Sequence, residues 1–392
     1  MAHDVIVVGG GVIGCSAALE LARRGLDVLV LERAELAAGA SGRNQGLLLP
    51  NADPVYRDLF WENVEAYRRL AGEGVPFGLR PTGLLLLAGD DATLRSAKEQ
   101  ADGLTRAGFA VEALDPAGLT EAEPCLAPDL AGGFRHGDAL ALDPAATTLA
   151  LAEAARRAGA TVRGHAGVRR LLGDGERVTG VLVDDGPLAA GAVLLAAGPW
   201  SRALAASAGL DLPVGGARGW LLQTAPLPWT VGHVFEETSW PGPEGIGVQA
   251  RPPTVGTLAE AGSAGPPAEG TAFTLQQGPG GHAVVGASLL ASLREDPEQP
   301  ETVHGLARRA LRFVPRLAEA PVVASWSAVR PVSPDGYPLV GPWPGVAGLW
   351  VSGGHGAEGV QLAPASARML AAQLVEGRAA PDAAPFDPAR FA

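Results

Sequence analysis

The chain has almost no lysine. Of its 30 basic residues only Lys98 is a lysine, and 392 residues include just two cysteines, Cys15 and Cys125. Two cysteines cannot build a disulfide framework or a four-ligand zinc site by themselves, so no metal centre is expected and a reducing cytoplasm is the simplest home. A basic excess is missing as well: 42 acids face 30 bases, a net charge of −12. That excludes a strong nucleic-acid binder or a ligand for anionic membranes. No run approaches ~18 uninterrupted apolar residues, so no membrane span is expected. A strand pattern begins at Asp4 and leaves no room for a charged n-region before it, so no signal peptide is expected either. Charged residues make up only 18 % and hydrophobic ones 47 %, which excludes global disorder. The 54 glycines and 33 prolines follow no G-X-Y period, so they mark turns rather than collagen. Lysine scarcity with heavy Ala, Gly and Pro usage reads as the coding bias of a GC-rich genome, not as function.

What is present begins with a βαβ unit. Asp4–Gly9 is a short apolar, β-branched run that reads as a buried parallel strand. Val12–Arg24 has helical spacing and stops at Gly25, and Asp27–Leu31 is a second buried strand closed by Glu32. Helices are predicted near Asp58–Leu70 and Thr93–Gly108, and over Asp143–Gly159, where Asp143 caps and Pro144 opens the helix. Strands are predicted at Thr161–Gly164, Gly167–Leu172, Arg177–Asp184, Ala192–Ala196 and Leu212–Thr224. Pro226–Gly270, rich in Pro and Gly, reads as long loops. Strands at Ala272–Gln277, Ala283–Gly286, Val322–Val329 and Leu349–Gly353 follow, with helices at Thr302–Val314 and Gly359–Glu376. The tail after Gly377 is expected to lie on the surface.

Gly9-Gly10-Gly11-Val12-Ile13-Gly14 matches G-x-G-x-x-G, follows a strand, opens a helix, and has an acid, Glu32, ending the next strand. Glycines allow close backbone approach to a pyrophosphate, the helix N-terminus offers N–H groups and a positive dipole, and Glu32 can accept from a ribose. Dinucleotide binding is the expectation. An acid at Glu32 argues against a 2′-phosphate, but the βαβ unit alone leaves FAD and NAD open.

The rest of the chain carries a resemblance. Ala40-Ser41-Gly42-Arg43-Asn44-Gln45-Gly46, Leu142-Asp143-Pro144, Ala196-Ala197-Gly198-Pro199-Trp200-Ser201 and Arg218-Gly219-Trp220 stand in order between the fingerprint and the C-terminal motifs. Those last motifs are Trp326 to Pro338, with Arg330-Pro331 at their centre, and Gly353-Gly354-His355-Gly356-Ala357-Glu358-Gly359. Together they make the sequence similar to the D-amino-acid oxidase/glycine oxidase family of FAD-dependent amine oxidoreductases, closest to its proline/hydroxyproline dehydrogenase-like and opine oxidase-like branches.

The resemblance implies an α/β fold: a Rossmann-type FAD-binding domain (1–76, 140–214 and 328–392) interleaved with a mixed-sheet substrate domain (77–139 and 215–327). It implies non-covalent FAD, because the stretch 325–336 lacks the cysteine that sarcosine oxidase-like relatives use. The implied cofactor contacts are Gly9, Gly11, Val12, Ile13, Gly14, Glu32 and Arg33; Ser41, Arg43, Asn44, Gly46 and Leu47; Val168; Ala197, Gly198 and Trp200; and Arg330, Gly354, His355, Gly356, Gly359 and Val360. Arg43 and Asn44 are expected to donate to flavin or phosphate oxygens, and the loop before the last helix to face the flavin pyrimidine edge.

Three residues are expected at the reaction itself. Arg330 should pair bidentately with a substrate carboxylate. His355 could contribute beside the flavin, and its alternative is a packed loop histidine. Glu358 stands where several relatives carry a Lys or Arg; it could meet a substrate ammonium or second basic group, or be a helix acid favoured by the dipole. Tyr56, Tyr337, Trp220 and Trp240 are candidate pocket walls, with core positions as the alternative.

The activity implied is hydride transfer from Cα of an amino acid or N-substituted amino acid to flavin N5, giving an imine that hydrolyses. Lys98 lies in a polar helix, which tilts the reading toward a dehydrogenase. The alternatives are a flavin subunit passing electrons to a partner chain in a heteromeric amino-acid/opine dehydrogenase, an NAD-dependent dehydrogenase, and a flavin-binding protein with a degenerate substrate site.

Overall fold

The computed structural model describes residues 2–238, 270–289 and 300–391. The chain opens with β1 (His3–Val8), α1 (Val12–Arg23) and β2 (Val28–Leu31). Next come β3 (Leu47–Leu48), α2 (Pro54–Gly72), β4 (Arg80–Pro81), β5 (Leu84–Ala88), α3 (Asp91–Arg106) and β6 (Val111–Leu114). They are followed by α4 (Pro116–Ala122), β7 (Gly132–His136), β8 (Leu140–Ala141), α5 (Pro144–Arg157) and β9 (Thr161–Arg163). The middle of the chain forms β10 (Arg170–Gly173), β11 (Val178–Val183), β12 (Gly186–Leu195), α6 (Ser201–Ala206), β13 (Gly215–Pro226) and β14 (Val234–Glu237). The remainder is β15 (Gly270–Gln277), β16 (His282–Leu289), α7 (Pro300–Phe313), β17 (Val322–Val332), β18 (Leu339–Pro342), β19 (Leu349–Gly353) and α8 (Gly359–Glu376).

The first sheet runs β10-β11-β12-β1-β2-β9, with β19 and β18 attached beside β12. The pairs β12–β1, β1–β2, β2–β9 and β12–β19 are all parallel. Its strands are apolar on both sides because both faces are covered. One face packs against α1, α5, α8 and α2 through residues such as Leu21, Phe60, Tyr67 and Leu370; the other builds a second cluster around Ile6, Leu29, Val193 and Val351. Chain order reverses at β1: β2 lies on one side and β12, arriving much later, on the other. The carboxyl ends of β1 and β12 therefore open a crevice, the usual ligand position in such sheets.

The second sheet is mixed, in the order β17-β13-β16-β15-β14-β5-β7-β6. One face is buried against α7 by Trp220, Leu222, Phe235, Phe273 and Val285. The opposite face turns toward the first sheet, where Leu84 and Val234 pack with Leu47 and Leu49. A small sheet, β3-β8-β4, stitches the two halves together. No helix among the described residues is long and apolar enough to cross a membrane.

Several expectations are corrected. The expected boundary at 327/328 falls inside β17, whose ladder with β13 continues to Val332 opposite Gly215. Arg330 thus belongs to the second sheet. β14 is a strand within the stretch read as loops, most of which lies outside the described residues, as does Trp240. Val168 precedes β10 rather than lying in a strand. The C-terminal tail is not merely a surface segment: Phe386 is buried in the main core, and Arg390 clamps Asp335 at 2.7 Å.

Candidate active site

The glycine turn is built by contact as much as by conformation. Gly9 has φ +121°, and a Cβ there would stand 2.4 Å from the carbonyl oxygen of Ala196. A Cβ on Gly14 would stand 2.0 Å from the Gly9 oxygen. α1 therefore starts hard against the end of β1, with Gly11 at its cap offering no side chain to fill the space. Ser41 closes the turn, its Oγ accepting from the Val12 N–H at 2.9 Å. Glu32 accepts from the N–H groups of Gly10 and Ala34 at 2.7 and 3.0 Å, which fixes both carboxylate oxygens beside the turn and leaves lone pairs for a ribose. Residues 165–168 run alongside: His165 and Ala166 donate to the carbonyls of Ala34 and Glu32, bringing Val168 to the same edge. Arg33 lies 3.8 Å over the Trp200 ring, a cation–π contact that joins the β2 end to the turn after β12. Gly198 in that turn has φ +58°.

The 41–46 loop differs from expectation at one residue. Asn44 spends both side-chain N–H groups on the carbonyls of Ala40 and Ser41, at 2.9 and 3.0 Å, and its Oδ1 accepts from Gly46 N–H at 2.7 Å. It shapes the loop and has no donor left for a ligand. Arg43 reaches the Ser327 carbonyl at 3.5 Å, and its own carbonyl accepts from Trp326 Nε1 at 3.1 Å, so this loop is tied to β17. Gln45 spans the domains as well, accepting from Thr274 Oγ1 at 2.7 Å.

At the far end of the crevice, β19 ends in Gly353 and the chain turns through Gly354 (φ +76°) and Gly356 (φ +58°) into α8. Gly356 N–H donates to the Pro331 carbonyl at 2.7 Å, and His355 bridges to Val332. The loop is thereby fastened to the strand that carries Arg330. His355 is buried, contacts Ser366 Oγ through Nε2 at 3.0 Å, and burial pushes its pKa down to about 3. Burial thus favours its neutral form. Among the described residues its Nδ1 has no partner, nor does Nε2 of Gln361, whose Oε1 accepts from Leu49 N–H at 2.7 Å. Val360, next to it, is anchored by Tyr67, whose hydroxyl donates to its carbonyl at 2.5 Å. Two unspent buried polar atoms at the start of α8 fit a hydrogen-bonding ring held against that helix end.

Glu358 occupies the cap position of α8 but makes no capping hydrogen bond. A helix N-terminus would lower a carboxyl pKa; here burial, then the nearby charge of Asp53, outweigh it and push Glu358 up to about 7. Tyr56 and Tyr337 sit beside it with ring centroids 5.5 Å apart, Tyr56 donating to the Gly336 carbonyl and Tyr337 to Asp53. Trp220 is no pocket wall: it lies in the core on the other side of the second sheet.

Arg330 lies on the inward face of that sheet. Its Nη1 donates to the Ser288 carbonyl at 3.2 Å, and among the described residues no carboxylate lies within ion-pair distance. Gly219, one strand over, makes the room: a Cβ there would stand 2.2 Å from Arg330 Nη1. One acid that sequence reasoning missed, Glu236, faces the same side. It is 8 % exposed and burial pushes it up to about 8, followed by the charges of Glu358 and Glu237. Neither thiol is displayed: Cys15 is packed in α1 with its pKa pushed up to about 12, and Cys125 is buried in the second core at about 11. Lys98 pairs with Asp102 on the exposed side of α3.

Comparison with known proteins agrees with this geometry. Residues 4–373 match the family model described as "FAD dependent oxidoreductase" (DAO). The chain is 30 % identical to the glycine oxidase of Pseudomonas putida, covering 99 % of both chains. It is also 30 % identical to the D-amino acid dehydrogenase of Cereibacter sphaeroides, covering 96 % of this chain and 92 % of that one. The crystal structure of glycine oxidase from Geobacillus kaustophilus superposes with a TM-score of 0.83 at 28 % identity, covering 98 % of both. FAD is the cofactor of this fold, and the glycine cradle, Glu32 and the unspent atoms at α8 fit it. The chain belongs to the DAO family of FAD-dependent oxidoreductases.

Proposed function

We propose that the protein oxidises the C–N bond of an amino acid or N-substituted amino acid whose carboxylate is held by Arg330. The observation that carries this reading is a partly buried guanidinium on the inward face of the second sheet with, among the described residues, no carboxylate beside it. A planar fork of donors fits a carboxylate bidentately and fixes the orientation of the adjacent Cα. Bound FAD supplies the hydride acceptor. The chain's own part is positioning: Arg330 orients the substrate, the Gly356–Pro331 bond holds that strand to the start of α8, and the cover of the second sheet excludes water. The α8 N-terminus presents a positive dipole end where negative charge would gather on reduction. The imine product hydrolyses to a keto or aldehyde compound. Relatives named glycine oxidase and D-amino acid dehydrogenase support the amine class.

Anaerobic mixing of the FAD-loaded protein with a panel of amino acids and N-alkyl amino acids tests the reading, and admitting air then reports oxygen reactivity. Bleaching by carboxylate-bearing amines is the expected result. Arg330→Leu is expected to raise KM for them about a hundredfold, the loss of a charge-assisted pair, while retaining FAD. Unchanged substrate affinity in that variant would remove Arg330 from its role.

A further inference from the structure

Glu236 is placed by the alternation of β14. Phe235 and Glu237 turn toward α7, where Phe235 enters the core and Glu237 pairs with Arg309 at 2.5 Å. Val234 and Glu236 therefore turn the other way, toward the first domain. Two contacts confirm that direction: Val234 packs with Leu47, and Thr274, directly opposite Glu236 in the ladder, donates to Gln45. Glu236 is more than nine-tenths buried, and its Oε2 has no hydrogen-bond partner among the described residues. Glu358 approaches from the first domain closely enough to oppose its ionisation. Among the described residues neither acid has a cation beside it. Asp53 and Tyr56, which also line this corner, are spent on Val55, Tyr337 and Gly336.

Arg330 stands on the same face. Its guanidinium reaches over to Ser288 on β16, which is two strands from β14 in the sheet. Two strand spacings are about 10 Å, and Ser288 lies two residues, about 7 Å, along the strand from the level of Glu236. An α-ammonium sits next to its own carboxylate and cannot bridge that span. A group at the end of a side chain can.

We propose that the substrate is an amino acid bearing a second cationic group, its carboxylate on Arg330 and its distal ammonium or guanidinium between Glu236 and Glu358. The proposal rests on the Arg330 reading above. Left alone, the charge of Glu358 opposes ionisation of the buried Glu236; a cation placed between them removes that repulsion and satisfies Glu236 Oε2.

The test is the reductive half-reaction of the FAD-loaded protein with matched pairs: arginine against citrulline, and lysine against norleucine, in both enantiomers. In the wild type the basic member of each pair is expected to show a kcat/KM higher by about tenfold or more, as for a charge-assisted contact. E236Q is expected to lose that preference, the basic and neutral members of each pair coming within about twofold of each other, with flavin content unchanged. Equal rates for basic and neutral members, while amino acids still bleach the flavin, would overturn the distal site and leave the role of Arg330 standing. No bleaching by any carboxylate-bearing amine would instead overturn the carboxylate reading, and the distal site with it. Should E236Q fail to hold FAD, the wild-type pairs decide the matter alone.

Discussion

Gly219 is the residue on which the carboxylate grip proposed for Arg330 depends. It has no side chain because the Arg330 guanidinium occupies the place where one would start. Gly219→Ala is therefore expected to displace that guanidinium, the end of a flexible side chain, and to press on the Ser288 carbonyl oxygen, 2.8 Å from the same Cβ. KM for carboxylate substrates should rise about tenfold or more, with FAD content and the flavin spectrum unchanged. Steady-state kinetics on the loaded protein checks this, and an unaltered KM would mean that the arginine works from another position. Arg330 itself was legible in the sequence because the Arg-Pro motif travels with its neighbours. Glu236 was not: its strand is four residues long and stands in a segment dominated by Pro and Gly. Asn44 was misjudged because spacing shows that a side chain can donate, and not whether local carbonyls have already claimed its donors.

At the scale of elements, the β1–α1–β2 unit was the most readable part of the molecule. The glycine spacing expresses the close approach of α1 to the end of β1, the apolar strand its burial on both faces, and the closing acid the N–H groups it accepts from beside the turn. Gly14→Ala places a methyl 2.0 Å from a backbone oxygen that cannot step aside. Such overpacking costs about 1–3 kcal/mol. Weaker FAD binding, by about tenfold to a hundredfold, is the expected consequence, measured by flavin retention on dilution. In the wild type, denaturation is expected to release all the flavin, because both thiols are buried in packed cores. Strand β5 escaped notice for the opposite reason to β14: Leu84–Ala88 is uniformly apolar, and without alternation its period names no face. The domain boundary expected at 327/328 is misplaced because β17 runs through it from one domain's motif to the other's without any turn residue to mark it.

For the whole molecule, the acids raised above their ordinary range set a pH dependence. Glu358 and Glu236 stand at about 7 and about 8 in the folded chain, against about 4.5 when unfolded. Between those values the folded chain holds more protons than the unfolded one, so stability is greatest near pH 4.5 by this contribution and is lost as the pH rises toward 8. The effect is of the order of a few kcal/mol, and it adds to the self-repulsion of a chain with net charge −12. Thermal unfolding followed across pH 6.5 to 8 is expected to show a falling Tm, with a shallower slope in E236Q; below that window the buried neutral His355 and His136, both lowered by burial, act in the opposite direction. A flat profile in the wild type would mean that both acids already ionise freely in the folded protein.

One small bond has a larger meaning at this scale. The Gly356 amide joined to the Pro331 carbonyl couples the strand that carries Arg330, the proposed hand for the carboxylate, to the helix end proposed to stabilise the reduced ring. Redox poise and ligand affinity are then not separate dials on this scaffold. A change that loosens the one must detune the other, and selection for a new substrate will carry the electron acceptor's potential along with it.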